Sequence, residues 1–104
     1  MIKVSVLYPN KEGTHFNLDY YRDKHMQMVK DGLKPLGLLT TGIEKGLGGI
    51  EPGQPAPYHC IGTMTFETME RMQQALQQHG QGLMADIPNF TDVQPIIQVS
   101  EIVE

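Results

Sequence analysis

The hydrophobic pattern predicts an α+β domain running β-α-β-β-α-β, with four strands in one antiparallel sheet and two helices on one of its faces. Three observations carry this expectation. Residues 2–8 and 58–66 alternate at the period of two that a half-buried strand requires. The stretches after Asn17 and after Thr68 space their apolar residues as helices do, each behind a residue that caps helices well. Two adjacent strand patterns separate the two helices, which is the split βαβ order of ferredoxin-like folds. The 104 residues suit a single domain spanning 1–104, large enough to bury a modest core.

In the first strand Ile2, Val4, Val6 and Tyr8 point one way and Lys3, Ser5 and Leu7 the other, before Pro9 and Asn10 end it. Asn17 caps the first helix, Asp19 lies in its first turn, and Phe16 and Tyr21 have the spacing of a hydrophobic staple. The helix is expected to reach residue 30, with Gly32 as its C-terminal cap and Pro35 blocking continuation. Residues 38–47 are strand-compatible, and "GGIEPGQPAP" is a long Gly/Pro-rich loop. The third strand places Tyr58, Cys60, Gly62, Met64 and Phe66 on one face and His59, Ile61, Thr63 and Thr65 on the other. Thr68 caps a second helix with Met69, Met72, Leu76 and His79 on its stripe; Gly80 is expected to end it. Residues 93–103 form the last strand.

Composition excludes several classes. Hydrophobic residues at 39% and charged residues at 19% are those of a globular chain. No apolar run approaches the roughly 20 residues of a membrane span, and "MIKVSVLYP" has no signal-peptide pattern. The net charge of −4, with Lys and Arg scattered, speaks against nucleic acid. A lone cysteine, Cys60, forms no internal disulfide and fits a cytoplasmic location. No closely spaced ligand cluster points to a metal, and the glycines of "GLGGIEPG" open no helix, so neither a metal nor a nucleotide cofactor is expected.

Two helices cover only one face of a four-stranded sheet. The other is expected to carry Ser5, Leu7, Ile61, Thr63, Thr65, Ile96, Gln98, Ser100 and Ile102, aliphatic and neutral polar groups with few charges. Such a face suits packing against the same face of a second copy about a two-fold axis.

The opening "MIKVSVLYP", the helix "FNLDYYRDKHMQMV" and the closing "MADIPNFTDVQPIIQVSEI" resemble the EthD family of the dimeric α/β-barrel superfamily over nearly the whole chain. Tyr20, Tyr21 and His25 match the family's aromatic pair and histidine; Gln27 stands where a proline is usual. A proline there would bend the helix, whereas glutamine is expected to leave a regular backbone. The resemblance implies a homodimer with a sheet-to-sheet core and a cavity in each monomer. The family takes its name from an accessory component of an ether-degrading oxygenase system. Superfamily relatives include muconolactone-type isomerases, polyketide cyclases and cofactor-free monooxygenases.

Leu18, Tyr21, His25, Met28 and Val29 share one helical stripe, so His25 is expected to face inward. There it is either an acid–base group for a carbon beside a carbonyl or a core histidine satisfied by a neighbour. Cys60 either joins it in the same cavity or is a small buried hydrophobe. Tyr8, Tyr21 and Tyr58 can orient a ligand oxygen from an apolar wall or pack as plain core. Asp86 either orients His25 or holds the turn before Pro88. The methionines serve as core filler, His59 is expected on the dimer side, and His79 near helix-terminal carbonyls.

With the resemblance, these residues point to cofactor-free proton transfer by His25, or at least binding, on a small cyclic or aromatic oxygenated compound. The reaction would be isomerase-, cyclase- or monooxygenase-like. The alternative is a non-catalytic accessory or ligand-binding protein of a catabolic system.

Overall fold

The structure, a computed structural model, describes residues 1–104. Strand β1 (Ile2–Pro9) buries Ile2, Val4 and Tyr8, as its alternation requires. Helix α1 spans residues 18–33. At its start the Asn17 side chain accepts from the Tyr20 N–H at 3.1 Å, and the Phe16 and Tyr21 rings meet with centroids 5.2 Å apart. Strands β2 (Leu38–Lys45) and β3 (Tyr58–Phe66) follow, then helix α2 (Met69–Asp86), capped by Thr68, and strand β4 (Ile96–Glu101). The sheet order is β2-β3-β1-β4, antiparallel throughout. No helix is long and apolar enough to cross a membrane.

Val4 pairs with Met64 on one side and Val99 on the other, and directly paired residues share a face. Val4, Met64 and Phe66 pack against Val29 and Leu33 of α1 and Met72 and Ala75 of α2 in one core. On the opposite face Ser5 lies between Thr63 and Gln98, and Leu7 between Ile61 and Ile96. From Ser5 to Ser100 the residues expected on the helix-free face share it, joined there by Thr40, Gly42 and Glu44 of β2, while Ile102 lies past the end of β4.

Four boundaries differ from the sequence reading. Helix α1 passes Gly32 and ends in a 3-10 turn, Lys34–Leu36, closed by Gly37 at φ 111°. Pro35 is harmless there, because a first-turn residue has no helical partner for its N–H. Helix α2 passes Gly80; a helical glycine costs about 1 kcal/mol relative to alanine, too little to end a helix that still has Leu83 and Asp86 to anchor. His79 consequently sits mid-helix beside Gly32 rather than at terminal carbonyls. Strand β2 stops at Lys45. Strand β4 begins only at Ile96, because Pro95 has no N–H for the ladder.

Helix α1 is also not regular. Residues Tyr21–His25 form a π turn, with the Met26 N–H bonded to the Tyr21 carbonyl five residues back. Gln27 has thus not preserved a regular backbone; its exposed amide merely reaches Asp31 at 2.9 Å. The extra residue in the turn rotates everything after it by about 100°. Met26 is buried as a result, and Met28, expected on the inner stripe, is exposed.

Candidate functional site

Between the sheet and the two helices lies a cavity of about 300 Å³. β1 contributes Val4, Val6 and Tyr8, α1 contributes Tyr21, His25, Met26 and Val29, and α2 contributes Leu76, Gly80, Leu83 and Met84. Its inner end is closed by Tyr8, Tyr21 and His25, at most 6% exposed, and its outer end by Met84 and Ile97, 46% and 48% exposed. The cavity therefore runs from an aromatic floor to a mouth between α2 and β4.

The floor is ordered by ring packing. Tyr21 stacks on His25 with centroids 5.3 Å apart and meets Tyr8 edge-on at 5.5 Å. Phe90 supports them, 4.8 Å from His25 and 5.1 Å from Tyr21. The hydroxyl end of Tyr21 can reach the sheet because position 62 is glycine: a Cβ there would collide with the Tyr21 hydroxyl.

His25 Nδ1 and Asp86 Oδ2 are 2.9 Å apart, both side chains buried. The other carboxylate oxygen, Oδ1, accepts from the Tyr20 hydroxyl at 2.8 Å and from Asn89 Nδ2 at 2.9 Å. Burial pushes the Asp86 carboxyl up, but the hydrogen bonds from Asn89, His25 and Tyr20 outweigh it and hold the carboxyl below its ordinary value. A carboxylate only accepts, so Nδ1 of His25 carries the hydrogen. Nε2 has no hydrogen-bond partner, yet no buried side-chain nitrogen or oxygen lacks one, so Nε2 remains accessible on a side chain that lines the cavity.

Burial also pushes the Tyr8 and Tyr21 hydroxyls well above the ordinary tyrosine range, and each reinforces or moderates the other across the floor. Both stay protonated at physiological pH; Tyr21 donates to Tyr8, which leaves the Tyr8 O–H as the donor for a ligand. The arrangement places an imidazole nitrogen with a free lone pair and the Tyr8 and Tyr21 side chains on the wall of one apolar cavity. It can take a proton from a bound molecule and stabilise negative charge on that molecule's oxygen.

Three of the six expected residues, His25, Tyr8 and Tyr21, thus meet at one wall. Asp86 does not line the cavity but reaches His25, while also bonding Asn89 in its own turn, so both readings of it hold in one geometry. Cys60 is fully buried outside the cavity. Desolvation pushes its thiol up to about 12, leaving no thiolate to act as a nucleophile. Tyr58 is half-buried beside Pro57 and Ile61, away from the cavity. His59 stacks on Phe16 with centroids 6.0 Å apart and lies 2.9 Å from Thr14 Oγ1, tied to a loop rather than offered to a partner sheet. Of the methionines, Met64 and Met72 fill core as expected, while Met28, Met69 and Met84 are exposed.

Sequence reasoning missed Tyr20, Asn89 and Phe90. Asn89 follows Asp86 at the spacing of one turn, a signal that was present. Phe90 carried none, because its neighbours come from distant elements.

The family model described as EthD domain matches residues 16–94. Among solved structures, an EthD-like protein from Ralstonia eutropha JMP134 is 38% identical, with a TM-score of 0.92 over 99% of this chain and 92% of that one. An EthD family protein from Bacillus halodurans C-125 is 19% identical, with a TM-score of 0.70 over 98% and 99%. A dimeric ferredoxin-like protein from an uncultured marine organism is 11% identical, with a TM-score of 0.56 over 100% and 96%. The last two show the fold alone. No curated protein matches.

Proposed function

The chain belongs to the EthD family, and we propose that it is a homodimeric small-molecule protein in which His25 moves a proton on a small cyclic or aromatic oxygenated compound. The observation that carries this reading is the His25–Asp86 pair at the cavity wall. Nε2 takes a proton from carbon beside a carbonyl, or from a phenol. Asp86 stabilises the imidazolium that forms, and the Tyr8 hydroxyl, itself accepting from Tyr21, donates to the oxygen on which charge develops. Isomerisation, cyclisation and monooxygenase-like chemistry share this first step. Pairing of two copies through the helix-free sheet face is supported by its neutral Ser, Thr and Gln rows and by the dimeric ferredoxin-like protein of the same fold. A single buried cysteine fits a cytoplasmic setting.

The test replaces His25 by Ala and, separately, by Gln. Each variant is checked for folding by circular dichroism and melting, then assayed on a panel of lactones and phenolic polyketides. Loss of a general base is expected to cost roughly 10²–10⁴-fold in rate with the fold intact. A wild-type protein that binds members of the panel without turning any over would instead be a ligand-binding accessory. Unfolding of both variants would make His25 a structural residue.

A further inference from the structure

Two features of the cavity bear on what enters it. The first is charge. No lysine, arginine, aspartate or glutamate lines it. Behind His25 lies Asp86, held as a carboxylate. With His25 neutral the inner end carries a net negative charge; with His25 protonated the pair is neutral. Neither state leaves a net positive charge for an anion, because Asp86 already balances the imidazolium, and burying an uncompensated carboxylate is unfavourable. The second feature is Gly80. It lies inside helix α2 and lines the cavity. A Cβ at this position would meet only the Leu76 Cβ, at 3.7 Å, an ordinary contact. Packing therefore does not require glycine, although glycine is a poorer helix former than alanine. What the missing side chain leaves is room between the buried floor and the exposed Met84 and Ile97.

Resting on the small-molecule reading above, we propose that the cavity selects an uncharged ring compound whose oxygen is held at the Tyr8–Tyr21–His25 end, with an apolar substituent leaving past Gly80. A hydroxyl on such a compound donates to His25 Nε2, and a carbonyl or phenol oxygen accepts from the Tyr8 O–H. A carboxylate in the same place meets at most the His25 imidazolium, whose charge Asp86 already balances.

The test measures binding by calorimetry near neutral pH with phenol, 4-propylphenol and 4-propylbenzoate, on the wild type and on Gly80→Leu. The propylphenol is expected to bind at least about tenfold more tightly than the benzoate, the factor that corresponds to about 1.4 kcal/mol. Gly80→Leu is expected to weaken propylphenol while leaving phenol within about twofold, a difference of about 0.4 kcal/mol. Benzoate binding as tightly as propylphenol would overturn the charge selection while leaving a ligand cavity in place. Gly80→Leu weakening both phenols equally, or neither, would overturn the path past Gly80. Failure of all three probes to bind the folded wild type would overturn both this proposal and the small-molecule reading beneath it.

Discussion

Asp86 carries more of the site than its distance from the cavity indicates. Its two oxygens bind three side chains, from two positions in α1 and one in its own turn. A carboxyl whose pKa is depressed in the folded protein stabilises it above the ordinary value of 3.8. That contribution is lost as pH falls through the lower, folded value. Asp86→Asn is therefore expected to cost about 1–3 kcal/mol at neutral pH and to remove part of the acid-side loss seen in the wild type. Urea midpoints followed from neutral pH into acid for both proteins measure this; equal midpoints at neutral pH would refute it. Cys60 shows the opposite balance. Its thiol has no charged partner to offset burial, so desolvation decides and the group is inert.

Helix α1 meets β3 where the Tyr21 side chain reaches Gly62. Gly62 lets the Tyr21 ring lie against the strand, its hydroxyl being the atom a Cβ would strike first and a ring carbon the next, at 3.1 Å. Gly62→Ala is expected to destabilise by roughly 1–3 kcal/mol through overpacking, and Tyr21→Phe in the same chain to recover part of that loss. A double-mutant cycle by denaturant unfolding measures the coupling, and strictly additive losses would show the contact to be slack. The π turn of α1 belongs to the same contact. It brings Tyr21, His25 and Met26 onto one narrow arc, where a regular helix would turn Met26 away and Met28 inward. A periodicity of 3.6 cannot anticipate an inserted residue. The inner stripe is therefore legible at Tyr21, His25 and Val29 and wrong at Met28, whose place Met26 takes.

The assembly proposed for the whole molecule has a direct test. Ser5 sits at the centre of the helix-free face, between Thr63 and Gln98. Ser5→Arg places a charge there that a folded monomer can solvate and a sheet-to-sheet dimer must bury, at a cost of several kcal/mol. Sedimentation velocity is expected to show a dimer for the wild type and a monomer of unchanged helix content for the variant; a variant that stays dimeric would place the interface elsewhere.

Strand alternation, helix caps and the order of elements rest on residues a few positions apart, so they could be read along the chain. Those signals sufficed for β-α-β-β-α-β, for the Asn17 and Thr68 caps, and for the residues sharing each face of β1 and β3. They also pointed His25 inward. They did not reveal that Asp86, 61 residues away, holds it, that Phe90 closes the floor, or that Cys60 and Tyr58 miss the cavity although Cys60 shares a strand face with Gly62. A cavity is the space left between elements, and its walls depend on how α1, α2 and the sheet settle against one another. Only the tertiary structure decides that, because packing distances across the core, unlike periodicities along the chain, are set by every contacting side chain at once.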